Sequence, residues 1–388
     1  MTHRERLLRV IAGELPDRVP VAPDFSNMIP AKLTGLPYWD LYLYEKIPIW
    51  KAYIDAAKHF GIDSLMDGYC PVEFDDIYLD KPDERKRAIV YRSDERIVTQ
   101  RYLKHLDGRM EWDEKVDVYY IDNPPTEGLL PESIRLPKTP DRWELLTGVC
   151  EQPQGEALLK IVKGVMGDAG LVGVFSGTSI LLHNAEDIFN YHDDPAPFEE
   201  KRDRMLEYFL RKLDRLASLA PDARPDFICT GGSGTLVFQT PAIFMNLGYP
   251  IVKAITKKAK EYGFPTHIHS CGPETKLLEM CEDTDLTIID PLEVPPMGDC
   301  NLKDLKKRFG SRYVLKGNLH TTEIMLRGTP EQVMEASRRA IEDAAEGGRF
   351  ILSTGDQCGR DTPHENIFAM VEAAEKYGRY NVCVPRVY

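Results

Sequence analysis

The residues of this chain best suited by type and spacing to do chemistry are His269-x-Cys271 and the later Cys358. An imidazole and two thiolates make a three-ligand set for zinc, and zinc with three protein ligands keeps a fourth position for a substrate oxygen or water. The separation, 358 − 271 = 87 residues, corresponds to about two β–α units, so in a closed barrel the two segments converge above the axis. No second pair of zinc-knuckle cysteines accompanies them, which points to a catalytic ion more than to a structural one. The same residues also fit a blander reading, with both cysteines as buried small residues and His269 as a satisfied core histidine. His267 competes as a ligand because residues i and i+2 of a strand share a face. His320 and Asp356, each following a strand end, are further candidates.

The elements that must position these residues are legible in the hydrophobic pattern. Short apolar runs at 171–175, 226–229, 266–269, 286–289, 313–315 and 350–352 alternate with helical stretches at 155–167, 196–219, 241–262, 273–282, 301–309 and 330–346. The runs are near-continuously apolar, as parallel strands covered on both faces must be. Two N-terminal runs, at 19–21 and 61–65, bring the count to eight. That count predicts a (β/α)8 TIM barrel, with a doubly wound open sheet as the structural alternative. Thr2 and Glu5 have capping-box spacing and predict an opening helix that stops at Gly13. Residues 86–120 break the rhythm with β-prone runs and turns, which predicts a β-rich insertion within a single barrel domain spanning 1–388. The Pro- and Gly-rich stretch at 123–158 reads as a connection passing into a helix near 141–149.

Composition narrows the classes of function. With 49 Lys+Arg against 62 Asp+Glu the chain carries a formal charge of −13, and 43% of its residues are hydrophobic. An acidic chain without basic clusters is unsuited to nucleic acid. No stretch approaches the roughly 18 apolar residues that span a bilayer, and the polar start lacks a secretory apolar region, so a cytoplasmic protein is expected. Eight scattered cysteines are too sparse for a disulfide scaffold. Gly231-Gly232-Ser233-Gly234 lacks the Lys-Ser/Thr of a phosphate loop, and Ser176-Gly177-Thr178-Ser179 lacks the nucleophile-elbow pattern.

At His269-Ser270-Cys271-Gly272, Pro291-Leu292-Glu293, Lys316-Gly317-Asn318-Leu319 and Ser353-Thr354-Gly355-Asp356-Gln357-Cys358-Gly359, the chain resembles the uroporphyrinogen decarboxylase superfamily, and within it the zinc- and corrinoid-dependent methyltransferases. Arg4-Glu5-Arg6 and Pro16-Asp17-Arg18-Val19-Pro20-Val21 extend the likeness to the N-terminus. The resemblance implies a (β/α)8 barrel, zinc held by His269, Cys271 and Cys358, and a corrinoid (cobalamin) delivered by a separate carrier protein. It also implies roles for Glu293, as a fourth ligand or an acid near the metal, and for His320, which stands where decarboxylases commonly place Asp. Helix capping is the alternative for both. Asp24 and Asn27, where the first strand should end, are candidates to hydrogen-bond substrate. Decarboxylases carry an arginine-rich segment there, and Asp24 would repel a porphyrinogen's many carboxylates.

The implied reaction takes a methyl group from a small methylated compound, most simply a methoxylated aromatic, to Co(I) corrinoid, the O-demethylase type of first-step methyltransferase. Alternatives are transfer from methylcorrinoid to a thiol acceptor, decarboxylation, and a non-catalytic partner of the corrinoid protein. A homodimer is left open as the assembly.

Overall fold

The computed structural model describes residues 1–74, 77 and 84–380; Cys383 lies outside them. By internal contacts the chain divides into two compact units, Met1–Ser26 with Ile54–Leu79 and Gln154–Tyr388, and Asn27–Tyr53 with Asp80–Pro153.

The larger unit holds a parallel sheet. Its strands are β1 (Ser64–Met66) and, beyond the five strands of the other unit described below, β7 (Gly170–Thr178), β8 (Phe227–Gly231), β9 (Thr266–His269), β10 (Ile288–Asp290), β11 (Val314–Leu319) and β12 (Phe350–Thr354), hydrogen-bonded in that order. The predicted first strand completes the ring without forming a full strand itself. Asp63 N–H donates to the Val21 carbonyl at 2.7 Å, and Ala22 N–H to that of Leu352 at 2.9 Å, so residues 20–22 bond to both edges of the sheet. This is the α/β barrel the apolar runs predict. Helices at Gly155–Met166, Ala196–Ala217, Tyr249–Glu261, Glu274–Met280, Leu302–Phe309 and Pro330–Ala344 fall where helical periodicity puts them.

At the N-terminal end of the barrel, Leu7, Val10 and Ile11 of helix His3–Ala12 pack with Leu65, Leu171, Phe227, Ile288, Val314 and Ile351. Thr2 and Glu5 form the capping box, and Gly13, at φ +81°, supplies the left-handed stop that L side chains resist. The polar residues of this motif form an ion network. Arg6 contacts Asp17 at 2.7 Å and Asp63 at 2.5 Å, Arg18 reaches Asp63 at 2.8 Å, and Arg4 grips Asp226 at 2.6 Å.

The smaller unit is an antiparallel sheet of β2 (Lys86–Arg92), β3 (Arg96–Lys104), β4 (Met110–Tyr120), β5 (Thr126–Leu129) and β6 (Glu144–Leu145), in the order β5-β4-β3-β2-β6. Val98, Val116 and Val118 form one apolar cluster; Leu43, Ile89, Ile97 and Tyr119 form another. The helix expected near 141–149 is not formed. Leu145 pairs with Ala88 and Glu144 with Ile89, so the segment extends the sheet, and only about nine residues between Pro140 and Cys150 leave little room for a stable helix.

Candidate metal centre

Strand β9 delivers two histidines to one end of the parallel sheet. His267 and His269 share a face, and both meet Asp290, which lies level with His269 on the neighbouring β10. Asp290 Oδ1 lies 2.7 Å from His267 Nε2 and 3.3 Å from His269 Nδ1. Its other oxygen is taken by the Lys316 ammonium from β11. Asp290 is fully buried, and a buried charge persists only when paired. Burial alone would raise its carboxyl, but Lys316, His267 and His269 hold it well below the usual range.

Beyond β9 the chain turns at Gly272, whose φ of +101° and N–H bond to Glu293 Oε2 (2.6 Å) fix the path of Cys271. A Cβ at Gly272 would stand 2.4 Å from Val237 Cγ2, so the turn demands glycine. Cys271 Sγ consequently lies 3.3 Å from His269 Nε2 and 3.0 Å from Ser233 Oγ. Asp356, just past β12, sets Oδ1 3.8 Å from the same Nε2. His269, Cys271 and Asp356 thus offer three donor atoms within 4.8 Å of one another.

That donor set fits a divalent metal. Two ligands on one tetrahedral zinc, with bonds of roughly 2.0–2.3 Å, stand about 3.5 Å apart, and the observed 3.3 and 3.8 Å bracket this. With Nδ1 against the Asp290 carboxylate, the His269 hydrogen sits on that side and the Nε2 lone pair faces the other two donors. Without a metal, burial opposes charge on His269, yet Asp290 and Cys271 raise its affinity for a proton well above the ordinary value. Burial raises the Cys271 thiol, with His269 pulling the other way. A second grouping, Asp67, His269 and Asp290, shares the histidine, but its Asp290 is already matched by Lys316.

Cys358 is not in either group among the described residues. Its side chain is fully buried, and burial with Asp24 nearby pushes the thiol up to about 12. Glu293 and His320 meet at one small cleft with Thr321 and Gly355. His320 Nδ1 accepts from the N–H groups of Thr322 (3.1 Å) and Glu323 (3.2 Å), the helix-start role. Asp24 is buried, accepts from Ser26 N–H at 2.8 Å and lines a cavity of about 290 Å³ with Asp67, His267 and His269. Asn27 belongs to the smaller unit, where its Oδ1 accepts from the Tyr42 hydroxyl at 2.8 Å. Sequence reasoning assigned no role to Asp290, Lys316 or Asp67. Lys316 carried a signal: a lysine directly after the apolar run Tyr313-Val314-Leu315 continues a buried strand, and buried lysines require a carboxylate.

A parallel α/β barrel that gathers imidazole, thiol and carboxylate over its strand ends defines a class of barrel enzymes able to hold one metal where barrel active sites lie. The comparisons with known proteins sharpen this. Residues 217–377, which contain all three donors, match the family described as uroporphyrinogen decarboxylase (URO-D). The methylcobamide:CoM methyltransferase MtbA of Methanosarcina acetivorans is 27% identical over 71% of this chain and 71% of its own. MtbA of Methanosarcina mazei is 32% identical over 33% of this chain and 35% of its own. The solved structure of a methyltransferase from Methanosarcina mazei superposes with a TM-score of 0.61 at 16% identity, covering 97% of this chain and 99% of that one, and shares the fold. The chain thus carries a uroporphyrinogen decarboxylase-like region at 217–377, is similar over a longer stretch to methylcobamide:CoM methyltransferases, and shares its fold with a solved methyltransferase.

Proposed function

We propose that this protein catalyses the first step of an O-demethylation, moving a methyl group from a small methoxylated aromatic to the Co(I) corrinoid of a separate carrier protein. One Zn²⁺ is proposed at His269, Cys271 and Asp356, with Asp356 in the place that sequence spacing offered to Cys358. The observation that carries this reading is the convergence of those three donors beside the cavity lined by Asp24 and Asp67. When bound, the zinc supplies Lewis acidity to the ether oxygen.

The chain's own residues do the rest. Asp290 holds the His269 ring by Nδ1, and Lys316 holds Asp290. The Ser233 hydroxyl steadies the Cys271 sulfur. Glu293, whose carboxyl burial raises, keeps Oε2 on the Gly272 N–H and offers Oε1 as the acid that returns a proton to the leaving oxygen. His320 lines the same cleft with only Nε2 left for it, since Nδ1 caps the following turn. The proposed setting is the cytoplasm; among the described residues no helix is long and apolar enough to cross a membrane.

A second reading, transfer from methylcorrinoid to a thiol, is favoured by the names of relatives that act on coenzyme M, among them a methylated-thiol–coenzyme M methyltransferase of Methanosarcina mazei. Decarboxylation of a poly-acid is disfavoured by Asp24 and Asp67 in the cavity wall.

The test is elemental analysis of protein purified without added metal, followed by a methyl-transfer assay. About one zinc per chain, lost in His269→Ala and Asp356→Ala, is expected. Zinc-loaded protein should then convert Co(I) cobalamin to methylcobalamin with 2-methoxyphenol, read by absorbance. Turnover only from methylcobalamin to an added thiol would establish the second reading instead. Absence of zinc after reconstitution would end both.

A further inference from the structure

The cavity beside the metal centre has a floor made of hydrogen-bond acceptors. Asp24 and Asp67 both line it, as does His267, whose side chain is fully buried. The Nε2 atom of His267 lies 2.7 Å from the Asp290 carboxylate, an acceptor, so in the neutral ring the hydrogen belongs there and Nδ1 keeps a lone pair. That Nδ1 has no hydrogen-bond partner and stands 3.6 Å from Asp67 Oδ2, another acceptor. A buried polar atom without a partner costs roughly 1–3 kcal/mol and marks a place where something must donate. Lys316, whose charge reaches Asp24 and Asp67, is bound to Asp290 and is not a cavity-lining residue.

We propose that Asp24, Asp67 and His267 Nδ1 form a receptor for a hydrogen-bond-donating head group on the methyl donor, a hydroxyl or an ammonium, seated beside the metal-bound end. This rests on the methyl-transfer reading for the identity of the ligand, but not for the existence of the receptor. A carboxylate head is excluded by two like charges in the wall. A cavity of about 290 Å³ suits a single-ring molecule. Glu293 and the metal ligands act on the ether end; the receptor decides which molecules arrive in register with it.

Calorimetric binding to the zinc-loaded protein, without corrinoid, tests this with four probes: 2-methoxyphenol, 2-methoxybenzylamine, methoxybenzene and 2-methoxybenzoate. The phenol or the amine should bind at least tenfold more tightly than methoxybenzene, and the benzoate not at all; which of the two wins tells hydroxyl from ammonium. Asp67→Asn, which turns one acceptor edge into a donor, should erase that preference while zinc content and the thermal melt stay as in wild type. Asp24→Asn serves as the second variant if Asp67→Asn misfolds. Equal binding of methoxybenzene, or binding of the benzoate, overturns the receptor. Phenol itself should show the same preference over benzene, so the receptor stands or falls separately from methyl transfer.

Discussion

Two fully buried aspartates, Asp63 and Asp290, mark opposite ends of the same barrel and are used in opposite ways. Asp63 precedes β1 and is saturated: His3, Arg6, Arg18 and the Val21 N–H all contact its two oxygens. Every partner belongs to the N-terminal motif that clamps the opening helix and first strand to the sheet. Asp290 ends β10 and spends its charge on Lys316 and two histidines, which leaves those histidines with ring nitrogens facing the cavity and the donors Cys271 and Asp356. One end closes its hydrogen bonds among itself; the other leaves lone pairs open. Barrels divide stability and chemistry in this direction, toward the C-terminal ends of the strands.

The hardest way to break the comparison is to remove Asp63. Asp63→Ala leaves Arg6 and Arg18 without their shared carboxylate and should cost about 3–5 kcal/mol in urea unfolding. Zinc bound per folded chain should not change; a loss of zinc in chains that remain folded would show that the two ends are not separable.

Next in size is a pH dependence of opposite sign at the two ends. His3, Arg18, Arg6 and the Val21 N–H hold the Asp63 carboxyl below its ordinary value, against the burial that would raise it. Its folded pKa is therefore below the unfolded value of about 3.9, so its stabilisation is complete above that pH and is lost as pH falls through the folded value. Asp24 runs the other way. Burial and Asp67 lift it to about 6, so the folded form binds the proton more readily than the unfolded chain, and ionising it costs up to about 3 kcal/mol above pH 6. In metal-free protein, Asp24→Asn should gain stability over wild type as pH rises from about 4 to 7. Parallel profiles for the two proteins would refute the strain assigned to this end.

A smaller effect tests what Asp290 does. Asp290→Asn combined with Lys316→Met, so that no buried ammonium stands alone, should weaken zinc binding by about 10–100-fold through loss of His269 orientation. Unchanged affinity in a competition titration with a chelator would mean that the ring is held by packing alone.

These contrasts show where the sequence was readable. The strands were legible because parallel strands buried on both faces must be continuously apolar, and the opening helix because Thr2 and Glu5 satisfy its free N–H groups. His269 and Cys271 were legible as a pair because two residues of spacing need no tertiary knowledge. Their partners came from other strands: Asp290 is level with His269 only through the β9–β10 register, and Asp67 stands past the end of β1. Periodicity within one segment carries no information about register between segments. The segment at 141–149 failed for a related reason, since its fate was decided by pairing with β2.

The third ligand sets the smallest prediction. Strand-end spacing and the family resemblance pointed to Cys358. The turn after β12 sets Asp356 Oδ1 3.8 Å from His269 Nε2, whereas Cys358 N–H donates to the Asp24 carbonyl at 2.7 Å and its side chain is fully buried. The proposed assignment therefore makes Cys358 a packing residue. Cys358→Ala should cost about 1 kcal/mol of stability and leave zinc content and chelator competition as in wild type. If Cys358→Ala loses its zinc while Asp356→Ala keeps it, the metal draws the turn into a different arrangement, and the carboxylate belongs with the acceptor wall of the cavity.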